Sequence, residues 1–385
     1  PLGGRYGEEP SRHDRRLKPR ALTNIIIKPA GPDCNLGCRY CFYLDKARLF
    51  PGTPTHRMTD QILSTTLQQM LQQDSDNLSF SWQGGEPTLM GLPFFQRAIE
   101  YEMTYGRGQT VSNALQTNGI ALDRSWAAFL ARYRFLVGLS LDGPEHVHDH
   151  YRLNLAGKGT WRTVHGRAQM LLDAGVSVNA LVVVTDYSAR YPKEIYSYLK
   201  ELGLVYMQFI PCYERDPSTN GLPAAYSVPP DAYGEFLCAL FDEWLKDFVD
   251  GKPTTSVRFF ESLMAIYSGL PPNDCTLLSE CGTYLVVEHN GDIYSCDFYV
   301  TPEWKLGNIV DNPLVTIFSG ERQREFGRIK ALLSDECLAC KWLLLCQGGC
   351  PKDRAKVSYF CSAFRRFFPY SDSALKRLVK LGNSN

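Results

Sequence analysis

The sequence predicts an α/β fold, an open and partial (β/α)6 barrel followed by a cysteine-rich lobe, on three observations. Between Leu22 and Ile210, apolar β-rich runs alternate with helix-period segments, the repeat that builds a parallel sheet. Six such runs are present, too few to close an eight-stranded barrel. From Cys275 to Cys361 there are eight cysteines, so that ligand chemistry takes over from apolar periodicity as the organising feature.

Taken in order, residues 1–20 are polar and Arg-rich with no apolar segment, and they read as a disordered or extended arm, not a secretory signal. Strands are expected at residues 22–28, 78–82, 111–117, 135–141, 177–184 and 205–210, and helices at 59–73, 93–105, 123–133, 161–174 and 191–202. Asp123 suits an N-cap, because its carboxylate can accept an otherwise unpaired backbone N–H, and Gly175 suits a helix stop. These elements form one barrel unit at 21–230, whose last stretch, 214–230, is rich in Pro, Ser and Gly and makes a linker or lid. A connector at 231–270 holds helices near 231–250 and 257–267. The cysteine-rich lobe fills 271–385, with a hairpin at 284–288 and 293–296 around Asn290-Gly291, a pair that accepts positive φ. The Phe360, Phe364, Phe367 and Phe368 spacing is that of a helix face turned to the core.

The 385 residues carry a formal net charge of zero, so nothing favours broad attraction to nucleic acid or to an anionic membrane surface. No apolar run approaches the ~20 residues of a membrane span, and a cytoplasmic protein is expected. In that reducing compartment the thirteen cysteines read as metal ligands, not disulfides.

The sharpest motif is Cys34-Asn35-Leu36-Gly37-Cys38-Arg39-Tyr40-Cys41, placed just after the first strand and a Pro29-Ala30-Gly31-Pro32 turn. Its C-x3-C-x2-C spacing can aim three thiolates at one point. A 4Fe-4S cluster wants four ligands, so three leave one iron open to a non-protein ligand, much as an open zinc position marks a catalytic site. Zinc itself would seek a fourth nearby Cys or His, and the closest, His56, lies outside the usual spacing. After the next strand comes Gly84-Gly85-Glu86-Pro87. In the last third, Cys337-x2-Cys340 alone would also suit a zinc ribbon. Cys212 and Cys238 are left over and read as packed thiols. His146, His148 and His150 alternate after Asp142-Gly143-Pro144 and read as a solvated loop.

With these stretches together the chain resembles the radical SAM superfamily, in which the open iron is chelated by S-adenosyl-L-methionine (SAM), and its C-terminal third resembles the SPASM domain. By that resemblance Cys34, Cys38 and Cys41 hold the first cluster; Cys275, Cys281, Cys296 and Cys350 hold one auxiliary cluster; and Cys337, Cys340, Cys346 and Cys361 hold the other, three 4Fe-4S clusters in all. Within the superfamily it is most similar to the anaerobic sulfatase-maturating enzymes, through Cys34 to Tyr43, Trp82 to Leu89, Leu115 to Gly119, Val137 to Pro144 and Tyr294 to Tyr299. Those enzymes oxidise a Cys or Ser of a sulfatase polypeptide to formylglycine. The resemblance implies that Tyr40, Gly84, Gly85, Glu86, Ser140, Arg152 and Tyr213 surround SAM, although the position of Tyr213 is usually aliphatic in the family. Tyr43 and Gln83 match residues that meet the peptide, and Asp297 matches the proposed base. The implied partners are an unfolded or nascent sulfatase chain carrying Cys-x-Pro-x-Arg or Ser-x-Pro-x-Arg and an electron donor such as flavodoxin or ferredoxin.

Two rival readings remain at this level. A SPASM maturase that forms thioether or carbon crosslinks in ribosomal peptides shares the motifs but is often preceded by a peptide-recognition domain; only 33 residues precede Cys34, below the ~40 an independent fold needs. A non-enzymatic electron carrier would not require an open iron or the SAM-binding stretches.

Overall fold

The computed structural model describes residues 21–382; the arm expected at 1–20 lies outside them. Six parallel strands, β1 (Asn24–Lys28), β2 (Asn77–Trp82), β3 (Thr110–Thr117), β4 (Leu136–Ser140), β5 (Ser177–Val184) and β6 (Tyr206–Pro211), lie side by side in sequence order. The connecting helices are α1 (Asp60–Leu71), α2 (Leu92–Tyr105), α3 (Arg124–Arg132), α4 (Glu145–Tyr151), α5 (Trp161–Asp173) and α6 (Pro192–Glu201). Each expected strand and helix of the barrel is present, its ends shifted by two residues at most. Asp123 caps α3 as expected, its carboxylate accepting from Trp126 N at 2.9 Å.

α4 is the unexpected element. The histidine-bearing stretch read as a solvated loop is helical, and His148 is completely buried, its Nδ1 accepting from Asp142 N and its Nε2 meeting Thr160 Oγ1. Burial holds the His148 pKa down at about 3, so it serves as a neutral hydrogen-bonding core residue.

After α7 (Pro230–Leu245) come a two-stranded ribbon of β7 (Phe248–Val249) and β8 (Lys252–Pro253), then β9 (Ser256–Val257) and α8 (Arg258–Tyr267). The expected hairpin forms as β10 (Leu285–Glu288) and β11 (Asp292–Tyr294), with Gly291 at φ +83°, and β12 (Lys305–Asn308) extends it. What spacing did not show is where the hairpin goes: β10 pairs in parallel with β1, placing Lys28 opposite Glu288. One open sheet, β12-β11-β10-β1-β2-β3-β4-β5-β6-β9, therefore runs through barrel and lobe alike. Beyond it lie α9 (Leu314–Phe318), α10 (Glu321–Ala331), α11 (Asp335–Leu338), α12 (Leu343–Cys346) and the long α13 (Cys361–Gly382). The phenylalanine stripe of α13 closes the core as expected: Phe367 meets Phe260 and Phe241 with ring centroids 5.5 and 5.6 Å apart. Among the described residues no helix is long and apolar enough to cross a membrane.

Candidate active site

The loop leaving the C-terminal end of β1 carries Cys34, Cys38 and Cys41. Burial drives the pKa of all three thiols up, Cys34 to about 12 and Cys38 to about 11; Cys34 also feels Cys38 and Cys41, and Cys38 feels Cys41. A metal centre bound here must displace those protons. The loop is pinned from two directions. Gly37 N donates to Leu153 O at 2.9 Å, while Gly85 N and Glu86 N donate to Gly31 O and Asp33 O at 2.8 and 2.7 Å. Only glycine allows that second closure, because a Cβ on residue 85 would lie 2.1 Å from the Asp33 carbonyl oxygen. Sequence reasoning assigns the glycine pair to approach by a cofactor; loop closure is a second, independent reason for Gly85.

Glu86 is buried and its carboxylate accepts from Thr88 N, Thr88 Oγ1, Thr117 Oγ1 and Asn118 N at 2.5–3.0 Å. Burial lifts its pKa and these donors pull it back. Its oxygens are thus engaged in holding the loop after β2 against the end of β3. Arg152 is likewise engaged, its Nε and Nη2 donating to Asp142 at 2.8 and 3.1 Å. Burial opposes the Arg152 charge, but Asp142, Tyr40 and Cys38 together more than offset this and the pKa ends raised; the same guanidinium lies close enough to Cys38 to favour its thiolate. Tyr40 also donates its hydroxyl to Asp142. Ser140 ends β4 half-buried. Tyr213 stacks on Tyr359 at 4.3 Å between centroids, and its carbonyl accepts from Lys352, so this residue joins barrel to lobe.

The opposite wall comes from the lobe. Asp297 opens a short turn after β11, and Tyr284 donates to its Oδ1 at 2.9 Å while standing 3.1 Å from the Cys296 sulfur. Tyr43 is buried and its hydroxyl donates to Glu288; burial, then Glu288, push its pKa up. Gln83, half-buried, follows β2 with its N–H on Ile27 O. Between the walls lies Lys28, fully enclosed, its Nζ 3.7 Å from the Tyr43 ring centroid. Burial lowers its pKa, and Asp297, Glu288, Cys296 and Cys41 push it back. Residues far apart in sequence thus share one electrostatic site. Lys28 and Glu288 are the residues sequence reasoning missed; the available signal was a lysine closing the apolar run Ile25-Ile26-Ile27 at the chemical end of a parallel strand. A cleft bordered by Cys41, Phe42, Glu214 and Tyr226 opens beside the first loop.

In the lobe, Cys350 lies in the field of Cys275 and Cys281, and Cys296 in that of Cys350. Cys346 instead lies in the field of Cys337, Cys340 and Cys361. All thirteen cysteines are free thiols, and among the described residues no three His, Cys, Asp or Glu side chains close around a single ion. Groups of unbridged thiols that lie in one another's field fit iron-sulfur clusters in donor chemistry. Cys212 packs with Leu36, Cys38 and Tyr40, and Cys238 sits on α7 against the core.

A parallel half-barrel with a three-cysteine loop at its catalytic end, backed by a cysteine-rich lobe, defines a radical SAM enzyme. The Radical SAM superfamily matches residues 29–199 and the SPASM iron-sulfur cluster-binding domain residues 275–341, and the protein is a radical SAM oxidoreductase. It is 38% identical over 382 residues to the serine-type anaerobic sulfatase-maturating enzyme of Bacteroides thetaiotaomicron, covering 92% of each chain. To the cysteine-type enzyme of Clostridium perfringens it is 36% identical, covering 94% of this chain and 98% of the other. The solved structure of native anSMEcpe with bound AdoMet and Cp18Cys peptide superposes with a TM-score of 0.85 at 35% identity, covering 93% and 99% of the two chains. The chain belongs to the anaerobic sulfatase-maturating enzyme family.

Proposed function

We propose that the protein oxidises a Cys or Ser side chain on a sulfatase polypeptide to Cα-formylglycine. The observation that supports this reading is that Lys28, at the end of β1, and Tyr43, just after the three-cysteine loop, both lie in the field of Asp297 from the lobe. In this reading Cys34, Cys38 and Cys41 hold the cluster that binds SAM, and the two lobe groups hold the auxiliary clusters. Loaded in this way, the sites would supply radical chemistry for hydrogen abstraction at the substrate Cβ and acceptors for the remaining electron.

The chain's own residues do the rest. Tyr40, Gly84, Gly85, Ser140, Arg152 and Tyr213 shape the SAM pocket, with Glu86 fixing the Gly84–Gly85 loop from behind. Tyr43 and Gln83 flank the peptide. Asp297 takes the proton from the oxygen or sulfur, so that loss of a hydrogen atom, a proton and an electron leaves an aldehyde from Ser, or a thioaldehyde from Cys that water converts to the aldehyde with release of hydrogen sulfide. An ordinary Asp, near ~3.9, is far too weak a base for a resting hydroxyl, whereas a thiol near ~8.5 is closer. Proton loss from Ser therefore accompanies or follows hydrogen abstraction. The test is incubation of the reduced, iron-loaded enzyme with SAM and a peptide carrying Cys-x-Pro-x-Arg or Ser-x-Pro-x-Arg. Mass spectrometry should show a hydrazine-trappable aldehyde; SAM cleavage with both peptides unchanged would sink the reading.

A further inference from the structure

Lys28 is a buried cation that the proposed chemistry does not yet use. Its side chain is 0% exposed and its Nζ has no hydrogen-bond partner. The register of β1 and β10 sets Glu288 directly beside it, which makes an ion pair the obvious arrangement. Tyr43 prevents it, taking the ammonium on its ring face and the Glu288 carboxylate on its hydroxyl. The ring attraction offsets part of the desolvation, but it satisfies no N–H. A buried donor without an acceptor is costly, and more so when it carries charge; such a group calls for a ligand that completes it. The groups that act on Lys28 include Asp297 first, then Glu288, Cys296 and Cys41. Besides Glu288, these are the assigned base and one thiol from each of the two cysteine groups that the proposed chemistry sets on either side of the peptide.

We propose that Lys28 is a second catalytic residue, whose ammonium donates a hydrogen bond to the oxygen or sulfur of the side chain being oxidised while Asp297 takes that atom's proton. The assignment rests on the peptide-oxidising reading above. It also answers the mismatch between a weak carboxylate base and a hydroxyl: a fixed, water-excluded cation at the oxygen stabilises the negative charge that grows as the proton leaves. Tyr43 keeps the ammonium in place without supplying a competing acceptor, and Glu288 is held off.

The test compares binding of a target peptide carrying Ser with its Ala counterpart, to iron-loaded enzyme with SAM and no reductant. The unaltered enzyme should prefer the Ser peptide by about tenfold, the worth of a hydrogen bond to a charged group. Lys28→Met, similar in length but uncharged, should retain its iron and bind the two peptides within about twofold of each other. With reductant it should still pass deuterium from a Cβ-deuterated peptide into 5'-deoxyadenosine, while aldehyde yield falls by roughly 10²–10³. Lys28→Gln, a neutral donor, should recover part of the preference, and it carries the comparison if the methionine variant fails to fold. Equal binding of the two peptides by the unaltered enzyme overturns the assignment without any variant. So does an undiminished preference in Lys28→Met, including the case where only the reduction potential of the lobe's iron shifts. If the unaltered enzyme oxidises neither a Ser nor a Cys peptide, the underlying reading fails instead.

Discussion

In the barrel, strand β5 is buried along most of its length and α5 presses Val164, Ala168 and Leu171 into the core; in the lobe, α11 and α12 are four residues each and separate cysteines that lie in one another's field. A four-residue helix is far below the ~12–15 residues at which helices become even marginal alone. The barrel holds its shape through apolar burial and parallel pairing, whereas the outer lobe, with helices this short, is the part that clusters on the proposed ligands would hold together. The difference teaches where each region is vulnerable. Barrel residues can change and cost stability by degrees; a lobe cysteine can cost the whole local structure.

The largest effect should come from the one place where the barrel itself carries ligands. Cys34→Ala should abolish SAM cleavage, and Ala at Cys34, Cys38 and Cys41 together should remove about one third of about twelve irons, leaving the lobe loaded. Stoichiometric zinc with little iron in the unaltered protein would break the comparison at its root. Next, Cys340→Ala should block turnover while some SAM cleavage persists, because the barrel site is separate; equal loss of cleavage in a folded variant would show that the two regions do not work apart. Asp297→Asn should follow, keeping size and hydrogen-bonding capacity but removing proton affinity. Aldehyde yield should fall by roughly 10²–10⁴, more for Ser than for Cys, with deuterium transfer into 5'-deoxyadenosine intact. Loss of cleavage would assign Asp297 to supporting the Cys296 side of the lobe.

The same contrast governs what could be read from residues alone. β5 could be placed at 177–184 because a run of buried β-branched residues bounded by Gly175 has one sensible conformation. The hairpin at Asn290-Gly291 was legible for the same local reason. Its parallel pairing with β1 was not, since nothing local in Leu285 to Glu288 names a partner 260 residues upstream. α4 escaped because Glu-His-Val-His-Asp-His-Tyr has only one apolar aliphatic side chain, and its helicity is imposed by His148 filling the space beside Asp142 and Thr160. The cysteines were visible as chemistry, and Lys28 was not, because an orphaned ammonium can be recognised only once Tyr43 is seen between it and Glu288.

The smallest effect tests the barrel half of the contrast, far from any thiol. Glu102 on α2 is buried against β3, where Asn113 Nδ2 donates to both carboxylate oxygens at 3.0 and 3.1 Å and Trp82 Nε1 donates to Asn113 Oδ1 at 2.7 Å. Burial raises its pKa to about 7, with Asn113 pulling the other way. The folded state thus holds a proton that the unfolded chain, with a carboxyl near ~4.3, gives up earlier. Stability from this group is fully present below the unfolded value and is lost as pH rises through about 7, because over that window the folded form binds more protons. Glu102→Gln keeps the shape and an acceptor for Asn113 but has no charge to bury. Relative to the unaltered protein it should gain about 2 kcal/mol at pH 5.5 and about 4 kcal/mol at pH 8, read as the difference in urea midpoints of the iron-loaded proteins multiplied by their shared slope. A gain that is the same at both pH values would mean that Glu102 is already ionised in the fold at pH 5.5. The barrel would then be carrying a buried charge held by the Asn113 amide in place of apolar packing.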